Sequence, residues 1–336
     1  MNFLIIANKF KMKTEDSDPV FQLNETVLLT SSPWQLIKNP LLRLLCHLHL
    51  STQLNRVVSI PFKSFWFRFI FKCWFKNNDQ VCVMINAHNI ALLNSQTISF
   101  LRKKYVKCKV VLSFSDKFEF FTRKYKSFPS IEWMKNSFDV IFTYNEEDIR
   151  SFGFCRSPIL VRSFSEVEDD ESIPRSDVFF VGRAKDRLFK IHDIYKRCIT
   201  AGLTCDFYIT DVPAEDMFYS GSITYNHFMN YSEVLKHVKR SNCVLNVVQD
   251  GGQGITRRDC EAFGMGKLLL TDNSFIKETE LYKKEQVIFL EELENRIDEI
   301  KNGFSGSCDW ADRFSLKNHY ASFQRIIEME TKKKQC

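Results

Sequence analysis

The sequence predicts an α/β fold of two Rossmann-like domains facing across a cleft, on three observations. Short apolar runs bounded by polar residues alternate with longer stretches of helical spacing, the pattern of a parallel sheet flanked by helices. The chain has 336 residues, 44% of them hydrophobic, enough for two ordinary domains with separate cores. In its second half a glycine-rich turn joins a buried-strand run to a helix, as in nucleotide-binding βαβ units.

The opening Met1–Asn8 is too short for a signal sequence with a cleavage site and reads as a first buried strand. Further strands are expected at Val81–Ile85, Val110–Ser113 and Val140–Thr143, with helices at Gln96–Tyr105 and Phe118–Tyr125 between them. Asn145 followed by three acids reads as a helix start, and that helix should stop at Gly153. The acidic, proline-containing Glu166–Ser176 reads as a linker. A strand at Val178–Val181 then leads into Gly182–Arg187, a helix from about Leu188 to Ala201, a strand at Asp206–Thr210 and a loop through Tyr225. Ser232–Ser241 should be a short helix capped by Ser232, followed by a strand at Cys243–Val248. After the glycine turn come a helix closed by Gly264 and Gly266, a strand at Lys267–Thr271, and a last helix over Leu316–Thr331. The expected divisions are a first domain 1–165, a linker 166–177, a second domain 178–308, and a closing segment 309–336 whose helix returns to the first domain.

The net charge of +6 is a difference between unlike halves. Residues 1–165 carry 23 Lys and Arg against 12 Asp and Glu, net +11; the remainder carries 24 against 29, net −5. The basic half suits a phosphate-bearing lipid, an anionic membrane or nucleic acid. Eleven cysteines without a CxxC pair or a nearby histidine set read as reduced thiols of a cytoplasmic protein rather than a metal site. No apolar run reaches the length of a membrane span, so any membrane attachment is expected to be peripheral.

Four groups of residues carry candidate chemistry. Gly251, Gly252 and Gly254 let the backbone approach a ligand, and Thr256, Arg257, Arg258 and Glu261 follow in the first turns of the next helix. Arginines there oppose the helix dipole unless they face an anion, and an acid two turns in can accept from ribose hydroxyls. Each glycine alone would read as a tight turn and each arginine as a solvated face; their coincidence in a βαβ context favours a nucleotide site. At the earlier turn, the Gly182 amide with Arg183, Lys185 and Arg187 can neutralise a diphosphate leaving group. His88, just after the VCVMI strand, can take a proton from an acceptor hydroxyl, with Asp116 as the alternative base; each also reads as a hydrogen-bonded loop residue. Finally, Phe62–Lys76 spaces Lys63, Arg68, Lys72 and Lys76 along one face of an expected helix among aromatics, suited to an anionic membrane interface or to a buried helix with one wet face. Its aromatics look packed rather than displayed for base stacking, which argues against nucleic acid.

From Val178 to about Leu290 the chain resembles the glycosyltransferases of bacterial lipopolysaccharide and capsule synthesis that have the two-domain GT-B fold. The resemblance rests on VGRAKDRL at Val181–Leu188, AGLTCDFYI at Ala201–Ile209, and GITRRDCEAFGMGKLLLTDN at Gly254–Asn273. The pattern Gly-x-Thr-x-Arg-x-x-Glu-Ala-x-x-x-Gly-Lys is met by Gly254, Thr256, Arg258, Glu261, Ala262, Gly266 and Lys267. By that resemblance the second domain binds a nucleotide-diphosphate sugar, UDP- rather than GDP-linked, and the first receives the acceptor. Glu261 would hold the ribose, Arg258 and the Gly252–Gly254 turn the diphosphate, and Arg183 and Lys185 the leaving phosphate. No cofactor and no metal are implied beyond the donor itself. Many retaining relatives carry two glutamates eight positions apart; here position 253 is Gln.

The expected activity is transfer of a sugar to a glycan acceptor, lipid-linked, in surface polysaccharide synthesis. A non-catalytic nucleotide- or glycan-binding protein with a degenerate GT-B fold is the alternative. A dinucleotide oxidoreductase is disfavoured, because no strand near the N-terminus leads into Gly-x-Gly-x-x-Gly.

Overall fold

The structure is a computed structural model that describes residues 1–6, 26–29, 37–58, 60–71, 79–158, 164, 167–249, 252, 254–306, 310 and 316–333. Gly251, Gln253, Lys72 and Lys76 lie outside the described residues. Two compact units emerge, one of Met1–Pro158 with Tyr320–Cys336 and one of Ile159–His319.

The first unit runs β1 (Asn2–Ile6), β2 (Thr26–Leu29), α1 (Pro40–His49), α2 (Thr52–Asn55), α3 (Ser64–Ile70), β3 (Gln80–Asn86), α4 (Ser95–Lys104), β4 (Lys107–Ser113), α5 (Phe118–Lys124), α6 (Ile131–Ser137), β5 (Val140–Thr143), α7 (Glu146–Phe152) and β6 (Cys155–Arg156). Its sheet is parallel throughout, in the order β2-β1-β3-β4-β5-β6. The run Val81–Ile85 is buried without interruption because both faces of a parallel sheet are covered. The Asn94 side chain caps α4 by accepting from Thr97 N at 3.0 Å, and Asn145 caps α7 by accepting from Asp148 N at 3.1 Å. The latter helix stops at Gly153.

The second unit runs β7 (Ser176–Arg183), α8 (Leu188–Thr200), β8 (Cys205–Thr210), β9 (Ile223–Tyr225), α9 (Tyr231–Arg240), β10 (Ser241–Asn246), α10 (Arg257–Gly264), β11 (Leu268–Thr271), β12 (Val287–Phe289) and α11 (Ile297–Asn302). This sheet too is parallel, in the order β12-β11-β10-β7-β8-β9. The last helix, α12 (Leu316–Lys333), brings Phe323 against Phe142 of β5, ring centroids 5.0 Å apart.

Several local expectations are corrected. The helix expected over Phe62–Lys76 is described only over Ser64–Ile70, and Lys63 is buried rather than part of an exposed cationic face. Burial pushes its amine down to about 8. The cap of α9 is Asn230, not Ser232: Asn230 accepts from Glu233 N at 2.8 Å, completing a capping box with the Glu233 carboxylate. The loop expected through Tyr225 contains β9, an edge strand too short for a period-two pattern to show. The acidic run before β7 lies along α9, with Asp169 3.2 Å from Arg240, Asp170 3.0 Å from Lys236, and Lys239 donating to the Val167 carbonyl at 2.6 Å.

Candidate functional site

In an open parallel sheet, ligands collect at the carboxyl ends of strands where the winding direction reverses. The order of the second sheet reverses between β7 and β10. Gly182 and Arg183 end β7 and Val247 follows β10, so the ends of both strands that lead into the turns expected from the sequence sit at this point.

Arg187 ties the two strand ends together. Its guanidinium donates to the Val247 carbonyl beyond β10 and, at 3.2 Å, to the Arg183 carbonyl of β7. Burial, and after it the nearby Arg258 charge, lower its pKa against the opposing pull of Asp186 and Asp272. Arg183 lies further out, half-exposed and paired with Asp211 at 3.3 Å. Lys185 is exposed and holds a left-handed backbone at φ 47°, unusual for a residue with a side chain and found where a site stores strain.

The glycine turn is fixed from below. Gly254 adopts φ 133°, a conformation that favours glycine, and its carbonyl accepts from Asn273 Nδ2 at 2.9 Å. Asn273 N in turn donates to Thr271 Oγ1 at 3.1 Å, and that hydroxyl donates to the Asn246 carbonyl at 2.8 Å. Thr256 caps α10, and Asp259 accepts from Thr256 N at 2.7 Å and from Asn246 Nδ2 at 2.7 Å. Asp259 is fully buried, and burial pushes its carboxyl up to about 6 despite those two donors.

One turn further on, Arg258 donates to Glu261 and, at 3.1 Å, to the Val181 carbonyl of β7. Glu261 is 0% exposed, and its Oε1 makes no well-formed hydrogen bond, although the Tyr231 hydroxyl lies beside the carboxylate. The Tyr231 hydroxyl of α9 is also buried without a well-formed hydrogen bond. Burial first, and then the Glu261 charge, push that phenol well up. The guanidinium of Arg257 lies over the Tyr231 ring at 4.9 Å. Gly182, Gly252, Gly254, Thr256, Arg258 and Glu261 thus belong to one strand-end region with Arg183 and Lys185 at its rim. Sequence reasoning missed Asp259, Asn246, Asn273 and Tyr231. For Asp259 a signal existed, since Thr256-x-x-Asp259 is a capping-box spacing.

In the first unit the reversal lies between β1 and β3. His88 follows β3 there, beside Asn89, whose Nδ2 donates to the Ile6 carbonyl of β1 at 3.1 Å. His88 and Asp116, read from the sequence as alternatives, form a pair: Nε2 is 3.2 Å from Asp116 Oδ2, and Nδ1 is 3.2 Å from the Tyr125 hydroxyl. One tautomer satisfies all three, with Tyr125 donating to Nδ1 and Nε2–H donating to Asp116. His88 is buried against the Phe121 ring, whereas the Asp116 side chain retains 31% exposure. The carboxylate, not the imidazole, is therefore the member of the pair open to the surface.

Among the described residues no cluster of three or more His, Cys, Asp or Glu could hold a metal ion, and the eight described cysteines are all unbridged. No described helix is long and apolar enough to cross a membrane.

No protein-family model matches the chain, and no curated protein matches it in sequence. Solved structures do match its fold. A trehalose-6-phosphate synthase superposes with a TM-score of 0.58 at 9% identity, over 98% of this chain and 99% of that one. A UDP-forming α,α-trehalose-phosphate synthase from Burkholderia xenovorans, in complex with glucose-6-phosphate, gives 0.54 at 9% identity, over 98% and 100%. Another from Burkholderia vietnamiensis gives 0.51 at 10% identity, over 99% and 98%. The chain has the α/β fold of the GT-B glycosyltransferases, with two parallel sheets.

Proposed function

We propose that the protein is a glycosyltransferase that moves a sugar from a nucleotide-diphosphate sugar, UDP-linked, to a glycan acceptor. The observation that carries this reading is Glu261: a fully buried carboxylate with one oxygen on Arg258 and the other left with only a poorly formed contact to the Tyr231 hydroxyl. An unsatisfied buried carboxylate oxygen costs free energy unless a ligand completes it. A ribose supplies hydroxyl donors of the right kind to replace the poorly formed Tyr231 contact. Because Glu261 is shielded, the Tyr231 ring and the Arg257 guanidinium over it turn aside as the nucleoside enters.

The diphosphate then meets the amino end of α10, the backbone of the Gly252–Gly254 turn, and the cations Arg183, Lys185 and Arg258. These groups stabilise charge that grows as the bond between the anomeric carbon and the phosphate oxygen breaks. In the first unit, Asp116 takes the proton of the acceptor hydroxyl as its oxygen bonds to the anomeric carbon, and His88 holds Asp116 in place. The electron pair leaves with the nucleoside diphosphate. The superposed trehalose-phosphate synthases support the fold this chemistry uses. We assign a lipid-linked glycan of surface polysaccharide synthesis, on the strength of the basic first half.

Calorimetric titration with UDP, GDP, CMP and NAD, repeated on Glu261→Ala, tests the reading. Binding of UDP that is lost in the variant supports it. Binding of none by folded protein overturns the donor assignment. Binding of UDP without hydrolysis or transfer, across a panel of UDP-sugars, identifies a non-catalytic binder.

A further inference from the structure

Among the described residues, 17 large hydrophobic side chains are exposed, and nine of them fall between Leu41 and Phe65. Chance scatter over the surface does not concentrate more than half of them in one short stretch. On α1, Leu41, Leu44, Leu45 and Leu48 are 65%, 54%, 47% and 46% exposed. Their spacing of i, i+3, i+4 and i+7 makes one apolar stripe. The helix already packs on the core through a different side, with Cys46 buried and Leu42 against the same cluster. The leucine stripe is therefore a second apolar face, turned outward.

That face is held in place. Trp66 Nε1 donates to His49 Nδ1 at 2.8 Å, and His49 Nε2 lies 2.5 Å from the Pro61 carbonyl. Asn55 Nδ2 donates to the carbonyls of His49 and Ser51, both at 2.9 Å. These bonds clip α1, α2 and α3 together. The exposed Leu54, Val57, Val58, Phe62 and Phe65 belong to the same clipped segments. Charge points to the partner. Between Glu25 and Asp79 the chain contains no acidic residue and seven Lys or Arg, of which Lys38 and Arg43 are exposed beside the stripe.

We propose that this face docks on the anionic surface of a lipid bilayer. The leucines enter the boundary between headgroups and acyl chains, and the exposed Lys38 and Arg43 meet lipid phosphate. A second copy of the chain fits poorly, because a twofold contact would set the same cations against each other with no acid in the stretch to pair them. The proposal refines the membrane-linked acceptor assigned above, yet it needs no catalytic step. Its failure would leave the donor-binding result untouched.

The test is co-sedimentation of the full chain with phosphatidylcholine vesicles, with and without phosphatidylglycerol, at low and high salt. The wild type should partition onto the anionic vesicles and be weakened by salt. The double variant Leu44→Gln with Leu48→Gln should partition at least about tenfold less, since each loses an exposed apolar contact with lipid. Its melting temperature and UDP affinity should match the wild type. Three results overturn the proposal: no vesicle binding, binding unchanged in the variant or equal on neutral vesicles, or wild-type self-association without lipid that the leucine changes abolish.

Discussion

Replacing Asp259 by Asn removes a buried charge whose effect on stability has a defined size and direction. In the folded protein its carboxyl is pushed up to about 6 by burial; in an unfolded chain it titrates near ~3.9. Between those values the folded protein keeps a proton that the unfolded chain has released. This stabilisation is present below the unfolded value and is lost as pH rises through about 6. The displacement of roughly two units amounts to about 3 kcal/mol. Urea unfolding of both proteins at a series of pH values isolates the effect, because all other titrating groups cancel in the difference. The stability of the wild type relative to Asp259→Asn should fall by about 3 kcal/mol from acid to neutral pH. Asparagine also places an amide N–H against one of two existing donors, Thr256 N or Asn246 Nδ2. UDP affinity at neutral pH should therefore drop about tenfold as the turn before α10 loosens. A stability difference that does not change with pH would refute the idea that this carboxylate is buried and strained beneath the donor turn.

Other outcomes follow from the same geometry. Glu261→Gln should weaken UDP by roughly tenfold to a hundredfold in calorimetry, because an amide cannot both accept from Arg258 and offer a charged acceptor to ribose. Asp116→Asn should lower the transfer rate by about a hundredfold or more while leaving UDP affinity unchanged, and His88→Asn should lower it less, since it positions the carboxylate without meeting substrate. Gly264→Ala, which on an exposed helix would stabilise by about 1 kcal/mol, should instead destabilise: a methyl there would lie 2.1 Å from the Phe164 ring. A cost of roughly 1–3 kcal/mol in denaturant unfolding is expected, and adding Phe164→Ala should remove the incompatibility.

The parts of the fold legible in the sequence are those decided by neighbours along the chain. Val140–Thr143 is a strand with the bounds its apolar run suggests, and the helix after it has Asn145 as its cap and stops at Gly153. The stretch Phe62–Lys76 misled because its ten apolar positions of fifteen cover every side of a helix, so periodicity could not distinguish a buried Lys63 from an exposed one. Helix α1 was not anticipated, since its leucines carry no polar alternation and its apolar stripe turns away from the core. At the site, the residue types were legible but their pairing was not. His88 and Asp116 meet because β3 and β4 are neighbours in the sheet. Asp259 is buried because Asn246 reaches it from β10, 13 residues earlier. The role of Arg187 as a tie between β7 and β10 likewise depends on which strands lie side by side.

The part of helix α12 from Tyr320 onward is synthesised after the whole of Ile159–His319, yet it belongs with Met1–Pro158. Phe323 and Ile327 are buried in that unit, Phe323 against Phe142. On the ribosome the first unit must therefore wait, with a gap over β5, while the second emerges and folds. A protein cut after Pro158 would expose the same gap permanently. The unit made first is the one completed last, and during that delay its unfilled apolar surface is what a chaperone would meet.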